Sequence, residues 1–244
     1  MRVQTGGEGR PVLVLVHGLG ATSDVWNGWH ALLDRYWSGR WIAPDLPGHG
    51  ASRPLPGYTF AALAEAVAGC CDPAAPTTLL GHSLGGVVAV ALAGPDSPLA
   101  VTRVVGLGIK VAWSPDELER AAGLAARPVS WFDSRAEAAG RYLRVAGLTG
   151  LLSPDDPAVD AGLREEGGRW RLALDPAAFG VGAPDMGALL AGSRAPVLLA
   201  RGEDDPMNTD DQLAALGAPT ATLVGLGHNA HVEDPRAVFD LLGA

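Results

Sequence analysis

The 244-residue chain reads as an α/β protein, with a mostly parallel central sheet flanked by helices and one inserted helical segment. Three observations predict this. Short, continuous apolar runs alternate with helix-like stretches. Several of the runs end in Gly-rich turns. Residues 111–194 interrupt the alternation with no convincing β run. Continuous apolar runs belong to strands buried on both faces, the condition of a parallel sheet under helices.

The runs come in order. PVLVLV (11–16) is apolar and rich in β-branched residues, and it stops at HGLG. WIAP (41–44), TTLLG (77–81), VTRVVGLG (101–108), APVLLARG (195–202) and TATLVG (220–225) are of the same type. Helices are expected at 22–36, 59–70, 84–94, 208–216 and 235–243 between and after them. Within 111–194, short helices are expected at 115–126, 134–147, 157–166 and 185–192, punctuated by Pro115, Pro128, Pro154, Pro157, Pro176 and Pro184. That is too much chain for one crossover. It predicts a cap over one end of the sheet, with the core formed by 1–110 and 195–244.

Composition excludes several classes. Lys+Arg 18 against Asp+Glu 27 leaves a formal charge of −9, a poor match to a phosphate backbone, so no nucleic-acid partner is expected. Hydrophobic residues at 48% and charged residues at 18% exclude a disordered solvating chain. The apolar runs at 12–16 and 87–93 are too short to span a bilayer, and MRVQTGGEGR lacks the apolar core of a signal peptide. A soluble cytoplasmic protein, monomeric or homodimeric, is expected. Cys70 and Cys71 are adjacent, which suits neither a relaxed disulfide nor a metal site.

The chemistry concentrates in four places. Gly81-His82-Ser83-Leu84-Gly85 has the form G-x-S-x-G between a predicted strand and a predicted helix. Such a sharp turn crowds its backbones, and Gly81, Gly85 and Gly86 supply room. Ser83 would project its hydroxyl from the carboxyl end of the sheet. A serine needs a base. Of six histidines, His228 follows the last predicted strand on a Gly-rich loop that can reach back over the sheet. His231 and His30 read as packing residues. The base needs an orienting carboxylate, and Glu203, Asp204 and Asp205 share one loop after VLLARG. Finally, His17-Gly18-Leu19-Gly20 can aim a backbone N–H at a reacting carbonyl, paired with the N–H of Leu84. The turn at 45–52, DLPGHGAS, reads as structural.

These motifs resemble the α/β-hydrolase family. The strand with HGLG, then DLPGHGAS, GHSLGG, GEDDP and GHNAHVEDP, recur there in this order and cover essentially the whole chain, the cap matching least. The resemblance implies an α/β-hydrolase fold with Ser83 as nucleophile, His228 as base and Asp205 as acid, Asp204 being the runner-up. It places the oxyanion donors on Leu19 and Leu84. The family's first strands are reduced here to residues 2–5, which implies a trimmed sheet. A serine nucleophile separates the chain from the dehalogenase and epoxide hydrolase branches, which carry Asp there.

The implied reaction is acyl transfer to water, with no metal or organic cofactor. The expected substrate is a small hydrophobic ester, thioester or lactone, as for a carboxylesterase or lactonase. The same triad also serves C–C bond hydrolysis, a lyase step or acyl transfer. A ligand-binding receptor with a nominal triad is the third reading. Trp113, Trp131, Phe132 and Met207 are the expected pocket lining, with Val25 and Trp26 as weaker candidates. Arg127, Arg135, Arg141 and Arg144 would favour an acidic substrate if they faced the pocket.

Overall fold

The computed structural model describes residues 1–243. A first strand β1 (Val3–Gly6) precedes β2 (Val12–Val16). A 3-10 segment (Ser23–Trp29) runs into α1 (His30–Tyr36), then β3 (Arg40–Pro44) and α2 (Phe60–Ala68). β4 (Thr77–His82), α3 (Leu84–Leu92) and β5 (Val101–Leu107) complete the first half. An insertion follows. It holds α4 (Pro115–Ala125), α5 (Arg135–Val145), α6 (Pro157–Asp160), β6 (Leu163–Glu166), β7 (Arg169–Leu172), a 3-10 segment (Pro176–Val181) and α7 (Met186–Gly192). The core resumes with β8 (Val197–Gly202), α8 (Asp210–Ala214), β9 (Thr220–Leu223), α9 (Ala230–Glu233) and α10 (Pro235–Asp240).

The main sheet has seven strands in the order β1-β3-β2-β4-β5-β8-β9. β1 pairs antiparallel with β3, and every other neighbour is parallel. β1 forms one edge of this sheet and β9 the other. All residues of β2 and of β4 are buried, as parallel strands under helices require. The period of two splits β2 between two cores. Val14 and Val16 pack with α2 and α3 through Leu63, Val67 and Val88. Leu13 and Leu15 pack on the opposite face with Trp26, Trp29, Phe239 and, from the insertion, Tyr142 and Leu143 of α5.

Two expectations change. The single helix expected at 22–36 is a 3-10 segment followed by a short α-helix. The helix expected at 157–166 stops at Asp160, and Leu163–Glu166 is instead a strand paired antiparallel with Arg169–Leu172. The insertion is therefore not all helical. Its turn is Gly167-Gly168, with φ of +60° and +78°, the left-handed pair that a two-residue hairpin needs. That signal is present in the sequence, but Leu163 follows a helix-like stretch at helical spacing.

Cys70 and Cys71 are free thiols just beyond α2. Burial raises both pKa values, that of Cys71 to about 12. Among the described residues no helix is long and apolar enough to cross a membrane, and no group of His, Cys, Asp and Glu could hold a metal ion.

Candidate active site

The site forms at the carboxyl ends of β2, β4, β5 and β8. Ser83 sits between β4 and α3 with φ 51° and ψ −117°. It is the only non-glycine with positive φ among the described residues. Such a conformation costs on the order of 1–3 kcal/mol and persists only where the surroundings impose it. They do so here. A Cβ on Gly81 would lie 2.0 Å from the Gly85 carbonyl oxygen, and one on Gly85 would lie 2.3 Å from that of Val16. The Ser83 N–H donates to the Leu107 carbonyl at 2.7 Å, which ties the turn to β5.

The HGLG loop passes directly over this turn. A Cβ on Gly18 would sit 2.8 Å from His82 Nδ1 and 3.3 Å from Ser83 Cβ. His17 anchors the loop: its Nε2 accepts from the Leu46 N–H and its Nδ1 faces the Gly18 carbonyl, both at 2.8 Å. That joins HGLG to the DLPGHGAS turn. Within that turn the Asp45 carboxylate accepts from the N–H groups of Ser23 and Ala51 at 2.8 and 2.9 Å. The turn is structural, as its sequence suggests. Leu84 opens α3, where the first amides have no intrahelical acceptor. Leu19 and Leu84 both line the cavity that Ser83 faces.

His228 lies on the loop after β9, and its Nδ1 is 3.0 Å from Asp205 Oδ1. The Asp205 side chain is fully shielded from solvent and also accepts the Met207 N–H at 2.9 Å. The three acids of the loop have different surroundings. Glu203 accepts the Gly225 N–H at 2.9 Å, which docks the acid loop on the histidine loop. Asp204 is exposed, and its N–H donates to the Leu226 carbonyl. Only Asp205 faces His228. Arg201 braces the loop from beneath, donating to the carbonyls of Glu203 and Asp205.

Two further contacts have no counterpart in the sequence reading. Gly108, with φ +64°, lies so close that a Cβ there would be 3.2 Å from both Asp205 Oδ2 and His228 Nδ1. His82 is buried, and its Nε2 lies 2.9 Å from the His228 carbonyl. Burial, followed by the neighbouring His231 and His228, holds the His82 pKa well below the ordinary value, so its Nε2–H is a neutral donor. His231 packs between His82 and Trp26, with ring centroids 4.3 and 4.6 Å away, a packing role.

Ser83 and His228 open onto one cavity of about 740 Å³. Trp113 and Met207 line it as expected. Trp131 and Phe132 do not. Phe132 exchanges backbone hydrogen bonds with Trp170, extending the hairpin. Trp131 stands 37% exposed on the outer surface beside Arg171. Val25 and Trp26 are buried in the core behind the site. The unforeseen lining is Phe60, Leu118, Leu124, Phe179 and Val181. Leu118, Ala121, Ala122 and Leu124 of α4 all line the cavity, on a helix with no fully buried residue. Of Arg127, Arg135, Arg141 and Arg144, only Arg144 lines the cavity. Arg135 is paired with Asp155 and Asp160.

The sequence profile of the alpha/beta hydrolase family matches residues 13–241. Among curated proteins, the magnesium-chelatase 30 kDa subunit of Rhodobacter capsulatus is 39% identical over 127 residues, 50% of this chain and 41% of that one. The pimeloyl-[acyl-carrier protein] methyl ester esterase of Serratia marcescens is 41% identical over 114 residues, 46% of this chain and 40% of that one. The matches thus span less than half the length of these relatives. Among solved structures, the thioesterase domain from the curacin biosynthetic pathway superposes with a TM-score of 0.79 at 21% identity, covering 99% of this chain and 94% of that one. A hydrolase from Pseudomonas aeruginosa superposes with a TM-score of 0.74 at 28% identity, with the same coverage of 99% and 94%. From its strand order, the serine turn and the profile match, the chain belongs to the alpha/beta hydrolase family.

Proposed function

We propose that the protein hydrolyses a carboxylic ester through an acyl-enzyme on Ser83. The observation that carries this is the convergence on one largely apolar cavity of a strained serine turn and a histidine held by a buried carboxylate. His228 Nε2 takes the Ser83 proton as Oγ bonds to the ester carbonyl carbon. The resulting oxyanion accepts from the N–H groups of Leu19 and Leu84, each worth about 3 kcal/mol of barrier. Asp205 holds the imidazole orientation and stabilises the imidazolium. The C–O bond to the alcohol breaks as His228 returns its proton to the departing oxygen. Water, deprotonated by His228, then adds to the acyl carbon, and Ser83 leaves with the proton. Every step uses groups of this chain and water. Residues 111–194 act as the cap, since α4 and the segment at 176–181 cover the cavity with Leu118, Leu124 and Phe179.

The largely apolar lining favours a substrate with a hydrophobic body. Thioester cleavage is the second reading. Curated relatives named pimeloyl-[acyl-carrier protein] methyl ester esterase support the ester reading, and the thioesterase domain of similar fold is what brings thioester cleavage ahead of lactone or C–C bond cleavage. The test is turnover of p-nitrophenyl esters and acyl thioesters of graded chain length, with fluorophosphonate labelling. Wild type should turn over medium-chain esters and take the label at Ser83; Ser83→Ala should lose both. Efficient labelling of Ser83→Ala, or no ester turnover by wild type, overturns the reading.

A further inference from the structure

We infer that the catalytic cavity binds a substrate carrying an anionic group, a carboxylate or a phosphate, held by Arg120 and Arg144 on its wall. The inference deepens the ester-hydrolase reading and rests on it for the position of the scissile bond.

The charges on the cavity wall are unlike those of the rest of the chain. The wall has three cations, Lys110, Arg120 and Arg144, and one carboxylate, Glu117, a net charge of +2 with histidines neutral. The chain as a whole carries −9. Lys110 and Glu117 neutralise each other at 3.0 Å, and Lys110 also lies 5.3 Å from the centre of the Trp113 ring. Glu117 makes no ion pair with Arg120, three residues along α4. Its Oε1 meets Lys110, and its Oε2 accepts the N–H and Oγ–H of Ser114. The Ser114–Glu117 capping box makes that arrangement part of the start of α4.

Arg120 and Arg144 are thus left without any carboxylate or hydrogen-bond acceptor among the described residues. Both are solvent-exposed residues on the cavity wall. Arg120 precedes the cavity-facing Ala121 and Ala122, and Arg144 precedes Val145, Ala146 and Gly147. Arg144 lies back over Gly140, where a Cβ would be 3.6 Å from its Nη1. Arg144 precedes a stretch that packs on the catalytic loops, Val145 against Gly20 and the Ala146 and Gly147 carbonyls against Asn229, whereas Arg120 is on α4. A guanidinium presents a planar fork of donors that matches carboxylate and phosphate oxygens. A wholly neutral substrate would leave both forks to water. The structure fits a ligand that joins an ester, an apolar stretch along Leu118 and Phe179, and an anion.

The test uses equilibrium binding to Ser83→Ala, so that it does not depend on turnover. Monomethyl sebacate, with a free carboxylate, is compared with dimethyl sebacate. Methyl ω-phosphooxydecanoate is compared with methyl ω-hydroxydecanoate. At least one anionic ligand should bind about 10- to 100-fold tighter than its neutral partner, the range of a charge-assisted hydrogen bond. The better of the two identifies the anion. Adding Arg120→Gln and Arg144→Gln together should collapse the preference toward unity, and each alone should lose part of it. Arg127→Gln, outside the cavity, should retain it. The preference is a ratio within one protein, so a general loss of affinity does not mimic the result. Equal binding of anionic and neutral ligands, or a preference that survives the double substitution, overturns the inference. Wild-type turnover of dimethyl sebacate, measured in parallel, reports on the ester-hydrolase reading alone.

Discussion

His228 Nδ1 lies 3.0 Å from an Asp205 carboxylate that no solvent reaches, and Gly108 closes over the pair. The carboxylate can therefore orient the ring without competition from water. Replacing Asp205 with Asn should lower kcat for ester hydrolysis by about 10³–10⁴-fold, as loss of the orienting acid does in other triads. Asp204→Asn changes an exposed side chain and should stay within about twofold. Steady-state kinetics of both variants decide this, and an equal loss in the two would sink the assignment.

Trp113 and Trp131 flank opposite sides of the same inserted segment, one in the cavity and one on the outer surface. Trp113→Ala should raise KM for medium-chain esters by about tenfold, in line with one lost aromatic contact surface. Trp131→Ala should leave KM unchanged. Chain-length series for both variants are the measurement, and a larger effect at Trp131 would contradict the observed lining.

Glycine has two opposite roles here. Gly85→Ala places a Cβ 2.3 Å from a backbone oxygen, and the protein should lose about 3 kcal/mol or more, or fail to fold. Gly123 lies inside α4, and a methyl group there would meet nothing within 4 Å, so Gly123→Ala should gain about 1 kcal/mol from helix propensity. Urea denaturation of the two variants would show shifts of opposite sign. Destabilisation by Gly123→Ala would count against the open surroundings of that residue.

Buried neutral histidines predict acid lability. Burial lowers the pKa of His49 and of His231 to about 3 and that of His82 well below 6.5. Unfolded, each titrates near 6.5. Below that pH the unfolded chain binds protons that the folded chain refuses. The stabilisation is thus complete above about pH 6.5 and is lost as pH falls from there toward about 3. Each such histidine contributes up to roughly tenfold in the folding equilibrium per pH unit. Denaturation midpoints should fall from pH 7 to pH 4.5, and His49→Gln should make that fall shallower. An identical slope in wild type and variant would remove His49 from the account.

Much of the core was legible because its determinants are local. The run VLVLV needs no partner to be recognised as a strand buried on both faces. Ser83 stands between a β run and a helix with glycines on either side; Gly81 is demanded within the turn, by the Gly85 carbonyl, whereas Gly85 is crowded by Val16 and Gly86 by Ile109. The hairpin escaped the sequence reading for a local reason too. Leu163 continues a helical spacing, and the Gly167-Gly168 turn lies beyond it.

What the sequence determined by itself was the strand order of motifs, the turn that presents Ser83, and the loops that carry His228 and three candidate acids. Its own residues could not choose among Glu203, Asp204 and Asp205. Which of them faces His228 depends on how the 203–205 loop docks on the 225–228 loop, through Glu203 to Gly225 and Asp204 to Leu226. Nor could it separate Trp113 from Trp131 and Phe132. Those aromatics are chemically alike, and only the pairing of Phe132 with Trp170, far along the chain, turns them away from the cavity. The tertiary structure also decided that Arg120 and Arg144 face the cavity, because the insertion folds back over the sheet and that packing is set by contacts between distant segments.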